Sequence, residues 1–338
     1  MLPSGTPDPR AAAAQAERDG YDGVWASEIR HDPFLSLGLA ATATDRITLG
    51  TAIALSFARN PMSTAVLAND LQALSGGRLL LGLGTQVRAH ITRRFGMPWS
   101  RPAARMRDYV LAMRAIWACW YDGIPLDHRG EFYEHTLMTP MFTPEHHAHG
   151  APGVLLAGVG EAMTIVAGEV ADGFLCHGFT TEAYLREVTL PALERGRARG
   201  GAGLSGFDIV GSPFVVVGRT EEEMAAAVAS VRGQLAFYAS TPAYRPVLER
   251  HGWGELGDEL HALSRAGRWS ELGGRLDDDV VRAFAIVGEP AEVGREYARR
   301  FGDVFTRASI CTPYPADPTL LAEVADAVRA GTTTEAAV

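Results

Sequence analysis

Residues 46–86 leave this chain few folds to choose from. They read R-I-T-L-G-T-A-I-A-L-S-F-A-R-N-P, then a helical segment, then S-G-G-R-L-L-L-G-L-G-T-Q. The first part is a strand over 47–55 with almost no polar side chain, as a strand buried on both faces requires. Pro61 after Asn60 opens a helix, because the amide hydrogen that proline lacks is one the first helical turn leaves unused. Ala65, Leu67, Ala68, Leu71 and Leu74 form its apolar stripe, and Ser75-Gly76-Gly77 ends it. A second apolar strand covers 79–82. Two such strands joined by one amphipathic helix make a parallel βαβ unit.

The same rhythm continues on both sides. Asp8-Pro9 starts a helix over 11–19, which Gly20 stops. A short strand over 21–27 follows, then the polar loop 28–34 and a helix over 35–44. Beyond residue 150, strands centre on Val154, Phe174, Ile209, Ala285 and Ser309, with helices over 161–171, 181–199, 220–239 and 290–301. With Val24, Ile47 and Leu80 this makes about eight strands, the number a (β/α)8 barrel uses. The expected fold is α/β: a TIM barrel with insertions, one domain over 1–338. The insertions are expected at about 86–150 and 240–280, where the alternation lapses. A barrel opens on a strand, yet only Met1-Leu2 precede the first helix. Either that strand is truncated or one short element is miscounted. The tail 331–338 is expected to be disordered.

Composition excludes several classes of function. The 338 residues are 47% hydrophobic, ample for a large core, and the net charge of −9 argues against nucleic-acid or membrane-surface binding. All 31 basic residues are arginine, which reflects a GC-rich coding bias rather than a function. Cys119, Cys176 and Cys311 stand far apart without metal-ligand spacing, as in a protein of the reducing cytoplasm. No apolar run approaches the roughly 20 residues of a membrane-spanning helix. The N-terminus lacks the basic start and apolar core of a signal peptide.

Candidate chemistry collects where strands end. In a barrel the C-terminal strand ends face the active site. His31, His90 and His177 each follow an expected strand, and imidazoles there suit proton transfer; each alone also reads as a structural hydrogen-bonding residue. G-L-G-T-Q at 82–86 would let a ligand's phosphate approach the backbone, or serve a tight turn. It is not a dinucleotide fingerprint, since Val87 stands where the third glycine belongs. A-G-V-G at 157–160 lies between strand and helix, a place that binds phosphate or simply needs glycine to turn. E-H-H-A-H at 145–149 fits no metal-ligand pattern and reads as a solvated loop, so no metal is expected. No G-x-S-x-G elbow is present. Tyr238, Ser240 and Thr241 line a pocket or cap the helix that ends near Ala239.

Longer stretches carry a resemblance. G-Y-D-G-V-W-A-S-E, L-G-T-A-I, R-N-P, G-G-R-L-L-L-G-L-G-T and V-A-G-E-V-A-D-G-F are similar to the luciferase-like flavin and deazaflavin oxidoreductases. R-F-G-M-P-W at 94–99, F-T-T-E-A-Y-L-R-E-V-T-L-P-A-L at 179–193 and A-F-Y-A-S-T-P-A-Y at 236–244 resemble an actinobacterial subgroup that uses coenzyme F-420. The resemblance covers nearly the whole chain and implies a (β/α)8 barrel. It also implies a cis peptide at Ala52-Ile53, bulging the third strand against the back of the cofactor ring. Glu28 matches the family's acidic residue after the second strand. Gly84, Thr85 and, a turn later, His90 match the fourth-strand end. Ala157, Gly158, Val159 and Gly160 match the phosphate-side loop, with Met163 behind it. Two departures stand out. Family members that act on sugar phosphates carry a histidine where Ile29 stands and a glutamate where Val87 stands. That specific reaction is therefore not expected, and His31, His90 or His177 would supply the proton chemistry.

The implied protein is a cytoplasmic F-420-dependent oxidoreductase acting on a small molecule, and by family habit a homodimer. The alternatives are an FMN-dependent monooxygenase and a flavin-binding protein without catalysis. One charge pattern bears on the cofactor. Arg88, Arg93, Arg94, Arg101, Arg105, Arg107 and Arg114 stand against Asp108 alone over 88–114. Arginine suits phosphate and carboxylate, and F-420 offers more anions over a longer reach than FMN. The other reading is that these arginines pair with acids elsewhere in the fold.

Overall fold

The computed structural model describes residues 2 and 8–335. Its strands are β1 (Gly23–Ala26), β2 (Thr48–Thr51), β3 (Ala54–Leu55), β4 (Leu79–Gly84), β5 (His128–Arg129), β6 (Glu134–His135), β7 (Gly153–Gly158), β8 (Gly173–Cys176), β9 (Asp208–Gly211), β10 (Phe214–Val216), β11 (Ala285–Val287) and β12 (Arg307–Ala308). Its helices are α1 (Pro9–Arg18), α2 (Pro33–Ala41), α3 (Pro61–Leu74), α4 (Pro102–Tyr121), α5 (Glu161–Val170), α6 (Glu182–Tyr184), α7 (Leu190–Arg199), α8 (Glu221–Ala239), α9 (Arg245–Glu249), α10 (Gly254–Arg265), α11 (Asp278–Phe284), α12 (Pro290–Phe301) and α13 (Pro318–Glu335). The chain divides into two compact units. The first holds 1–158, 162–175 and 193–207, and the second holds 159–161, 176–192 and 208–338.

The first unit is built on parallel strands in the order β1-β2-β4-β7-β8, with β3 also pairing with β4. Leu49, Leu81, Leu83, Val154 and Leu156 are fully buried, as expected for parallel strands covered by helices. The helices between them start where polar caps precede proline. Asp8, Asp32 and Asn60 each accept backbone N–H bonds ahead of Pro9, Pro33 and Pro61. Arg78 ties the lower ends of the strands together. Its guanidinium donates to the carbonyls of Ile47 (2.9 Å), Thr44 (2.8 Å) and Ser75 (2.6 Å).

The structure settles the question of the first strand. Leu2 forms a parallel bridge with Ala26, and its amide donates to the Trp25 carbonyl at 2.7 Å. The opening strand is therefore present at Leu2, the one residue of that stretch among those described. The strand near Ala285 is the miscounted element: β11 pairs with β10 in a separate two-stranded sheet. Two expected strands are also broken. The strand over 47–55 divides into β2 and β3 at the cis Ala52–Ile53 peptide. The strand expected around Ile209 divides into β9 and β10 around Pro213, which has no N–H to continue a ladder.

The second unit contains β9 paired with β12, β10 paired with β11, and a core of Phe214, Val231, Leu235, Leu260, Val280 and Phe284. The helix over 181–199 is interrupted by a π-helical turn, Leu185–Thr189, just ahead of Pro191, whose missing N–H removes one ladder bond. The segment 86–150 adds a π-helical turn (His90–Arg94), α4 and the β5–β6 hairpin, and 240–280 adds α9 and α10. The chain end departs from expectation: α13 continues to Glu335, and 336–338 lie outside the described residues.

Gly82 and Gly38 form a contrasting pair. A Cβ on Gly82 would stand 1.9 Å from the Thr51 carbonyl oxygen, whereas a Cβ on Gly38, within α2, meets nothing within 4 Å. Gly82→Ala is expected to cost about 3 kcal/mol or more, by forcing two strands apart. Gly38→Ala is expected to be neutral or to stabilise by about 0.5–1 kcal/mol. Chemical denaturation of both variants checks the pair; equal stabilities would refute the packing described.

Candidate functional site

In the first unit, the strand ends are bound into one constellation around Glu28. Ala52 donates its amide to the Ala26 carbonyl (2.9 Å), Glu28 donates its own to the Ile53 carbonyl (3.1 Å), and Ser27 Oγ donates to the Ala52 carbonyl (2.8 Å). The bulge is thereby stitched to the end of β1 on both sides of the cis bond. The Glu28 carboxylate then holds the bulge's far side, where Oε2 accepts from the Leu55 amide at 2.8 Å and from Arg59 Nη1 at 2.6 Å. Arg59 also reaches Asp32 Oδ2 at 2.7 Å and lies over the Phe34 ring. Burial works against the Arg59 charge, but Glu28 and Asp32 outweigh it and hold the guanidinium pKa above its ordinary value. With side chains only 9% and 20% exposed, Glu28 and Arg59 form a largely desolvated pair.

The glycines of G-L-G-T-Q have steric reasons. Thr51 Oγ1 donates to the Gly82 carbonyl at 2.6 Å, and the Thr51 carbonyl fills the space a Gly82 side chain would need. A Cβ on Gly84 would meet Ile53 Cδ1 at 2.1 Å, so Gly84 is what admits the bulged Ile53 side chain. Ala52 and Ile53 themselves stay half-buried and leave a small apolar face accessible at the strand ends. Thr85 is half-buried and donates to the Gln86 carbonyl. Ala157 and Gly158 end β7. A Cβ on Gly158 would lie 2.9 Å from Met163 Cγ, which puts Met163 directly behind the turn.

Among the described residues, the other candidates form no bond with the Glu28 or Arg59 side chains. His31, His90 and Arg88 are exposed, and His90 opens the π-helical turn. The arginine run is mostly committed. Arg101 pairs with Glu131, Arg107 with Glu169 (2.7 Å) and Arg114 with Asp172 (2.7 Å). Arg105 is buried and donates to the Pro98 carbonyl and Tyr133 Oη, while Arg94 donates to the Ile29 carbonyl. The guanidinium groups of Arg88 and Arg93 have no partner among the described residues. The E-H-H-A-H loop is solvated as expected, with Glu145, His146, Ala148 and His149 exposed, and is anchored at two histidines. His146 donates to the Trp120 carbonyl at 2.5 Å, and His147 shares a 2.8 Å bond with Tyr121 Oη. Among the described residues no group of histidine, cysteine and acidic side chains is placed to hold a metal.

In the second unit, His177 stands in an aromatic box directly after β8. Its Nδ1 accepts from the Phe179 amide at 2.9 Å, and its Nε2 lies 3.3 Å from Tyr244 Oη. Tyr238 meets its ring edge-on at 4.8 Å, and Tyr244 lies tilted against it at 4.9 Å. Desolvation pushes the imidazole pKa down to about 4, so the ring is neutral at physiological pH. Val159 belongs to this unit and accepts from Tyr184 Oη at 3.1 Å. Ser240 acts as a cap, donating to the Phe237 carbonyl.

Sequence reasoning missed Arg59 and Tyr244. Arg59 was visible in R-N-P, but only the fold brings it to Glu28. Tyr244 ends A-F-Y-A-S-T-P-A-Y and reaches His177 across 67 residues of chain.

The chain resembles known proteins along most of its length. The model of the luciferase-like monooxygenase family matches residues 6–307, and the chain belongs to that family. It is 55% identical over 277 residues to an uncharacterized protein of Mycobacterium tuberculosis, covering 82% of each chain. It is 26% identical over 288 residues to the 5,10-methylenetetrahydromethanopterin reductase of Archaeoglobus fulgidus, covering 82% of this chain and 81% of the reductase. Among solved structures, the coenzyme F420-dependent tetrahydromethanopterin reductase of Methanopyrus kandleri superposes with a TM-score of 0.76 at 22% identity, over 96% of this chain and 94% of that one. The fold is thus the α/β TIM barrel of this family, with insertions, and the protein is of the oxidoreductase class.

Proposed function

We propose that this protein is an F-420-dependent oxidoreductase that moves a hydride to or from a small organic substrate. The observation that carries the reading is a match along almost the whole chain to a family that includes F-420-dependent reductases. The deazaflavin would supply the hydride chemistry, and the protein would supply position and electrostatics. Ala52 and Ile53 would back the cofactor ring, since their half-buried apolar face at the strand ends fits a flat heterocycle. Glu28 would act by holding that face in place, because its carboxylate is already committed to Leu55 and Arg59. Gly84, Thr85 and His90, with Ala157, Gly158, Val159, Gly160 and Met163, would complete the cofactor contacts. Arg88 would meet the anionic tail, which its unpartnered guanidinium suits. His31 and His90 are exposed and would be the histidines open to proton chemistry, whereas His177 has its ring nitrogens engaged by the Phe179 amide and Tyr244.

FMN is the alternative cofactor, in a monooxygenase. It is favoured by the arginine run, whose members are mostly satisfied within the protein and leave less charge for a long anionic tail. Among the described residues no helix is long and apolar enough to cross a membrane. The assembly in this reading is a homodimer through α2 and α3, where Leu35 and Leu74 are 70% and 54% exposed.

Parallel fluorescence titrations with F-420 and FMN decide between the cofactors. F-420 is expected to bind more tightly, with an affinity that falls as salt is raised, because exposed ion pairs are screened. Stoichiometric FMN binding without F-420 binding would move the assignment to the monooxygenase. Light scattering at micromolar concentration is expected to return the mass of a dimer, and a monomer would contradict the assembly.

A further inference from the structure

His177 has both ring nitrogens in use. A backbone amide can only donate, so Nδ1, which faces the Phe179 N–H at 2.9 Å, must be the unprotonated nitrogen. In a neutral imidazole the proton then sits on Nε2, and its partner is Tyr244 Oη at 3.3 Å. Tyr244 therefore accepts from His177, and its own hydroxyl hydrogen is left to point elsewhere. No acceptor for that hydrogen is found among the described residues.

The surroundings hold the phenol in this role. Tyr244 packs on His177 at 4.9 Å, on Phe179 at 5.6 Å and edge-on against Tyr238 at 5.7 Å. Burial, with Tyr238 beside it, pushes the Tyr244 pKa up to about 12, so the hydroxyl keeps its hydrogen across the physiological range. The ring contacts are aromatic and uncharged. The neighbouring Arg245 is spent on Glu249 at 2.6 Å. An anionic oxygen would be desolvated here without a countercharge, while an uncharged carbonyl oxygen would gain a donor at little cost.

We propose that Tyr244 is the hydrogen-bond donor for an uncharged carbonyl oxygen of the substrate, and that His177 positions it by holding the phenol oxygen from behind. The substrate class is thereby an aldehyde, ketone or amide rather than a carboxylate or phosphate. This places His177 behind Tyr244 rather than on the reacting atoms. The proposal rests on the oxidoreductase reading, because His177, which holds Tyr244, follows β8 at the strand end where barrel enzymes bind substrate.

The test uses acetophenone labelled with ¹³C at the carbonyl as a probe. In the wild-type protein the carbonyl stretch is expected to move to lower wavenumber with saturable binding. In Tyr244→Phe the shift is expected to vanish and the dissociation constant to rise about 10-fold, the loss of one hydrogen bond. In His177→Phe, which keeps an aromatic ring in the box, the shift is expected to weaken. ¹⁵N spectra of the wild type should show Nε2–H and an unprotonated Nδ1 near pH 7. No saturable shift in the wild type, an equal shift in Tyr244→Phe, or a proton on Nδ1 would overturn the proposal. F-420 titrated into the same samples separates the two readings: a carbonyl shift without F-420 binding removes the cofactor assignment and leaves Tyr244 in place. F-420 binding without a carbonyl shift does the reverse.

Discussion

The Glu28 carboxylate is the constraint on which the candidate cofactor face depends. Breaking the strand over 47–55 at Ala52–Ile53 removes regular ladder partners from the backbone around it, and buried polar backbone without partners is costly. The chain compensates locally, through Ser27, the Ala26 and Ile53 carbonyls and, at Leu55, one oxygen of Glu28. That same oxygen carries Arg59. A buried carboxylate bonded to an arginine and an amide is satisfied, and removing Arg59 leaves the Glu28 charge desolvated without a countercharge. The geometry assigns Glu28 the work of a brace, a different role from that of a catalytic acid.

Much of the fold was legible because it rests on patterns that do not need the tertiary structure. Apolar runs such as 79–82, proline after a polar cap, and glycine after a helix are local, and they located the strands of the first unit and the helices α1, α2, α3, α5, α8 and α12, but not α11, α13 or the β5–β6 hairpin. The errors came where local pattern and pairing diverge. Residues 285–287 look like a barrel strand, yet they pair with β10 alone. Leu2 carries no pattern at all and is recognisable as a strand only through Ala26. The resemblance placed the Ala52–Ile53 cis bond, which no periodicity would have revealed.

The site was less legible for the same reason. Glycine at 82 and 84 reads equally as ligand access or as steric relief, and only the positions of the Thr51 carbonyl and Ile53 favour relief. The arginine run looked like an anion site because its acids, Glu131, Glu169 and Asp172, lie outside the run. His177 looked like a proton donor or acceptor from its place after a strand. Its tautomer depends on the Phe179 amide two residues on, and its role depends on Tyr244, far along the chain.

The central claim is that Glu28 and Arg59 act as one brace for the face that receives the cofactor. A double-mutant cycle of Glu28→Gln and Arg59→Gln, read as the F-420 dissociation constant, tests it most directly. The account predicts that each single variant weakens binding and that the double variant is little worse than the weaker single one, a coupling of about 1–3 kcal/mol. Losses that multiply, single variants that bind like the wild type, or a wild type that does not bind F-420 would contradict it.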